Sequence, residues 1–132
     1  MSSNTTITEK TIANPKTHYG SGKASTWRFI AQRATAVLNV VFTVFLIWLV
    51  VRLAGADVEA MGDLLSNPVV CVVVGLMIIS AAIHMEIGMR EVLDDYVHGE
   101  AALKLSLMLN TLVCAVVALA ALAALIKLAF WG

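Results

Sequence analysis

Three long stretches of this chain, 34–51, 67–85 and 105–126, contain no Asp, Glu, Lys or Arg. An α-helix rises about 1.5 Å per residue, so roughly 17–25 apolar residues cross a hydrocarbon core of about 30 Å. Each stretch meets that length. Backbone amides inside lipid have no water to bond, so a spanning segment of this size must be helical. Composition agrees: 60 % of the residues are hydrophobic and 14 % charged, where a soluble domain has about 45–50 % and about 25 %. The reading is an all-α integral membrane protein with three transmembrane helices, near 29–54, 68–93 and 103–130.

The rest of the chain is short. Residues 1–27 read as a polar tail with an interfacial lead-in, and residues 28–132 as a three-helix membrane domain. The tail has no apolar core segment, so it reads as neither a signal peptide nor a packed element. In the lead-in, Trp27, Phe29 and Ile30 alternate with Lys23, Arg28 and Arg33, as at a headgroup boundary. Tail and loops are too short to fold a soluble catalytic core. Chemistry on a water-soluble substrate is therefore expected in a partner chain. A formal net charge of zero gives nucleic acid no electrostatic footprint to bind. Cys71 and Cys114 both fall in apolar spans, where they read as small apolar residues rather than a disulfide.

Charge asymmetry orients the spans. Seven Lys and Arg residues fall on the side of the amino terminus and second loop, against two on the side of the first loop and carboxyl end. The positive-inside rule then places the amino terminus in the cytoplasm and the carboxyl terminus outside. The second span opens on Asn67-Pro68, a capping residue followed by the proline that a first helical turn accepts. Alanines 115, 118, 120, 121, 123 and 124 in the third span would let helices approach closely.

His84 is the one histidine within a span. An ionisable side chain there is a functional candidate because leaving it unpaired in lipid is expensive. Two readings stand: an axial ligand of haem iron through one ring nitrogen, or a histidine hydrogen-bonded between helices. At about 100° per residue, Gly88, Glu91 and Asp95 fall within roughly 40° of it. Gly88 leaves room for a flat macrocycle, or for ordinary helix packing. Glu86 and Arg90, four residues apart on another face, read as a mutually neutralising pair. Arg33 ends the first span on the cytoplasmic side, where a guanidinium suits a carboxylate such as a haem propionate, or snorkels to lipid phosphate. Thr35, Asn39 and Thr43 form a stripe that should face protein, as should Ser106 and Asn110. His18 and His98 lie outside the expected hydrocarbon core, so a second haem ligand would have to come from another subunit.

The segment HMEIGMREVLDDYV, 84–97, and the run QRATAV, 32–37, resemble the His-x-x-x-Gly…Asp-Tyr and Arg-Ala-Thr motifs of the D-type hydrophobic membrane-anchor subunit of succinate dehydrogenase. The resemblance covers the chain from about Arg28 onward. It implies half of a helical bundle completed by a companion C-type, cytochrome b-like anchor subunit, with docked iron–sulfur and flavoprotein subunits. It implies His84 as an axial ligand of haem b shared with that companion, Arg33 near the haem propionates, and Asp95 and Tyr96 at the ubiquinone site. It further implies a bacterial inner membrane, with the carboxyl terminus in the periplasm. The function expected is a subunit of succinate:ubiquinone oxidoreductase in the tricarboxylic acid cycle and respiratory chain, not catalytic alone. Glu86 and Arg90 depart from relatives that carry aromatic residues there, which leaves the ligand unaffected. Rival readings are the anchor of a related fumarate reductase, and a purely structural membrane subunit or small transporter without haem.

Overall fold

A computed structural model describes residues 22–131. The polar tail up to residue 21, with His18, lies outside the described residues. Every described element is helical: α1 (Gly22–Ala54), α2 (Val58–Ser66), α3 (Pro68–Tyr96) and α4 (Glu100–Trp131). Three of them, α1, α3 and α4, are long and apolar enough to cross a membrane. The chain divides into two units, one ending at Ile30 and one running from Ala31. In the first, the described part is the opening turns of α1, where Trp27, Phe29 and Ile30 are all exposed. The second contains everything discussed below.

Helix α1 begins before the expected boundary at 29, α3 runs past 93, and α4 starts ahead of 103. Charged residues end the apolar run without ending the helix, since Lys, Arg and Glu are good helix formers. The boundary of a span and the boundary of a helix are different physical events.

Helix α2 falls where the sequence reading has only a loop. Asp57 caps it by accepting the Ala60 amide at 2.8 Å, and Asn67 closes it while capping α3 through the Val69 amide at 3.0 Å. Pro68 occupies the first turn of α3, where its missing N–H costs nothing. At the far end of α3, the Val97 amide bonds back to Leu93 O. Helix α4 then starts at Glu100, an acid in its first turn, which complements the positive end of the helix dipole.

Helices α3 and α4 pack closest, α2 lies against both, and α1 stands further off backbone to backbone. The inner face of α4 runs through Asn110, Cys114, Ala118, Ala121 and Leu125. Of the six alanines expected to allow close approach, only Ala118 and Ala121 lie on that face; the others are exposed. Gly75 of α3 receives Leu125 and Leu122 at 3.8 and 4.0 Å from where its Cβ would stand. The buried apolar set is small, with Ala31, Leu49, Val70, Ile87, Cys114 and Leu125. Most Val, Leu and Ile side chains point outward, which suits lipid and subunit neighbours as solvent.

Candidate functional site: the α1–α3 polar rungs

Three rungs join α1 to α3, one per turn, and α3 descends as α1 ascends. At the first, Gln32 lies over Gly88: a Cβ on Gly88 would come within 3.2 Å of Gln32 Nε2. At the second, Thr35 Oγ1 stands 3.2 Å from His84 Nδ1. At the third, Ser80 donates to Asn39 Oδ1 across 2.8 Å. Thr35 and Ser80 are buried, at 7 % and 5 % exposure. Thr43, the last member of the expected stripe, turns back to its own helix and donates to Asn39 O at 2.6 Å.

The rungs bridge two backbones that stand apart. A polar group buried in such a gap requires a partner, and the Thr35–His84 and Ser80–Asn39 rungs supply one. The exception is Gln32, whose Oε1 is buried without a hydrogen bond. An unpaired amide oxygen of this kind costs about 1–3 kcal/mol. Among the described residues His84 has a partner at Nδ1 only. Its Nε2 has no partner among the described residues.

Gly88, expected to leave room for a macrocycle or for helix packing, has the Gln32 amide of α1 3.2 Å from where its Cβ would stand. The obstruction is the far end of a flexible side chain, which can turn aside. Arg33 is exposed and lies about 160° round α1 from Thr35, given roughly 100° per residue. It belongs to a different face of the helix from the rungs. Asp95 and Tyr96 are exposed at the end of α3, with Tyr96 roughly 18 Å along the axis from His84 at about 1.5 Å per residue. His98 approaches the main chain there, its Nδ1 being 3.1 Å from Tyr96 O.

A second polar cluster joins α3 to α4. Arg90 Nη2 pairs with Glu86 Oε1 at 2.6 Å, and Thr111 donates to the same carboxylate oxygen at 2.9 Å. Asn110 Nδ2 donates to Glu86 O at 2.9 Å. The expected Glu86–Arg90 pair is thus formed, and the polar start of α4 explains its company. Among the described residues no three His, Cys, Asp or Glu side chains gather as a metal-ion donor set.

Sequence reasoning finds His84 because it is alone in its span. It does not single out Gln32, and it takes Thr35 only as one of a stripe. Pairing residues of two helices needs their register, which no single-helix periodicity contains.

The family model of the succinate dehydrogenase/fumarate reductase transmembrane subunit matches residues 7–124. Neither a curated protein nor a solved structure matches the chain. With most of its length matched and three helices of membrane-spanning length, the chain belongs to the succinate dehydrogenase/fumarate reductase transmembrane subunit family and is a multi-pass membrane protein.

Proposed function

We propose that this chain is the D-type anchor of a succinate:quinone oxidoreductase, binding haem b with a companion C-type anchor and helping to form the quinone-reduction site. The observation that carries the reading is His84: one ring nitrogen is engaged by Thr35, and the other has no partner among the described residues. That donor set fits haem, which needs one imidazole nitrogen from this chain and one from elsewhere. The unpaired Gln32 oxygen beside the same face marks a place where an outside group would complete the packing.

In this reading His84 and a residue of the companion anchor would hold the haem iron, and Arg33 would hold a propionate carboxylate. Haem b, when bound, supplies a one-electron redox centre within the bilayer. Tyr96 and Asp95 lie at the cytoplasmic mouth of α3, where iron–sulfur and flavoprotein subunits dock and deliver electrons from succinate. Reduction of a ubiquinone to its quinol consumes two electrons and two protons. The Tyr96 hydroxyl donates a hydrogen bond to one quinone carbonyl, orienting it and stabilising negative charge as it develops. Asp95 orients that hydroxyl or a water, and protons arrive from the aqueous interface.

The amino terminus lies in the cytoplasm and the carboxyl terminus in the periplasm of a bacterial inner membrane, in keeping with the seven-to-two basic asymmetry. The polar rungs join helices of one chain and open no path across the bilayer, which supports an anchor over a transporter. The test is His84→Ala in the assembled complex. The expected result is loss or conversion of a low-spin b-type reduced-minus-oxidised spectrum. An unchanged spectrum with the complex intact removes His84 as ligand and this reading with it.

A further inference from the structure

Thr35 has a single hydroxyl proton and two lone pairs. Its Oγ1 stands 2.7 Å from Ala31 O and 3.2 Å from Gln32 O. Both are backbone carbonyls of the preceding turn, which only accept, and a helical threonine commonly donates to one of them. The proton is therefore committed within α1. Toward His84, at 3.2 Å, the hydroxyl presents a lone pair. Nδ1 must then carry the ring proton and donate it, and Nε2 carries the lone pair. The opposite tautomer would set two lone pairs against each other at Thr35 and leave an N–H unpaired at Nε2, in a span where unmet donors are costly.

The same contact limits how the ring can turn. Thr35 is buried at 7 % exposure, its rotamer pinned by its own helix. The Ser80–Asn39 bond one turn away holds the two helices in register. We infer that Thr35 is a positioning residue for haem, setting the tautomer and orientation of His84 so that Nε2 faces the iron as a neutral, strengthened donor. This rests on His84 being the ligand, as proposed above.

A hydrogen bond accepted from Nδ1–H raises the basicity of the ligating nitrogen, and losing such a bond typically weakens metal retention by about ten- to a hundredfold. A more basic ligand favours the ferric state. Removing the acceptor should therefore raise the haem midpoint potential.

The experiment uses the assembled complex in its membrane, with Thr35→Val, Thr35→Ser and His84→Ala, read by redox titration of the haem, ferric low-spin EPR and haem content. Thr35→Val keeps the shape and removes the hydroxyl. It should raise the midpoint potential, shift the low-spin g-values and lower haem retention about ten- to a hundredfold, while Thr35→Ser restores the parent values of all three. A Thr35→Val complex with the parent's potential and g-values overturns the inference and leaves the His84 reading standing. A low-spin spectrum that survives His84→Ala overturns both. If Thr35→Val fails to assemble, Thr35→Cys provides a weaker acceptor of similar size; it should move the potential in the same direction by less, and a parent-like potential there overturns the inference as well.

Discussion

Ser80 of α3 donates its hydroxyl proton to Asn39 Oδ1 of α1 across 2.8 Å, and Ser80 is 5 % exposed. Helices in lipid have no hydrophobic drive toward one another, so a bond of this kind carries part of their association, about 0.6 kcal/mol on average and up to about 1.7. A double-mutant cycle of Ser80→Ala and Asn39→Leu, read as thermal retention of the assembled complex in detergent, should show coupling of that size. Strictly additive losses would mean that the pair contributes nothing jointly.

Gly88 leaves its space to Gln32 Nε2, 3.2 Å from the missing Cβ. Gly88→Ala should be accommodated by a turn of that amide and leave assembly intact. Gly88→Leu should push α1 outward and loosen Thr35 from His84, lowering haem content along with stability. Full haem content in an assembled Gly88→Leu complex would mean that the close approach is unnecessary.

Tyr96 is 78 % exposed at the end of α3, and it is the residue proposed to contact the quinone. Tyr96→Phe keeps the ring and deletes one donor. A neutral hydrogen bond contributes about 0.5–1.5 kcal/mol, and more when charge develops on the acceptor. Succinate oxidation with an artificial dye should be retained, while succinate–ubiquinone reductase activity falls roughly tenfold. Asp95→Asn should show the same split. Parent-like ubiquinone turnover in Tyr96→Phe at limiting quinone would remove the hydroxyl from the site.

Arg33 is exposed on a face of α1 away from the rungs, so removing it tests the proposed propionate contact separately from the α1–α3 packing. Arg33→Ala should lower haem retention or shift its potential without loosening α1 from α3. Identical haem content and potential would make it a snorkelling arginine.

Orientation is checked by accessible single cysteines in a background with Cys71 and Cys114 replaced. Periplasmic labelling should modify a probe at residue 59, in α2, and spare one at residue 98, beyond α3. The reverse pattern would invert the topology.

The spans are legible in the sequence because length and absence of charge are properties of one segment at a time. The Asn67-Pro68 start of α3 is legible for the same reason. Helix α2 escapes that reading because its nine residues are too few for a span. Yet Asp57 as cap, with Val58, Met61, Leu64 and Leu65 along one face, is a short amphipathic pattern that could have identified it. The start of α1, the end of α3 and the start of α4 differ from the expected boundaries where charged residues continue the helix.

The site divides in the same way. His84 is visible as a solitary imidazole, and the Glu86–Arg90 pair as an i,i+4 spacing. That Thr35 rather than Asn39 meets His84, and that Gln32 covers Gly88, depends on how far one helix is slid along another. A sequence without a partner sequence contains no direct statement of that offset.

The one-per-turn spacing of the rungs makes them a vernier. Displace α1 by a single turn and Asn39 or Ala31 comes opposite His84: the first is a side chain able to donate as well as accept, the second a methyl group. Either neighbour would release the imidazole from its single tautomer. On the proposed reading of His84, haem content would then report whether the first two spans lie in the right alignment, before any turnover is measured.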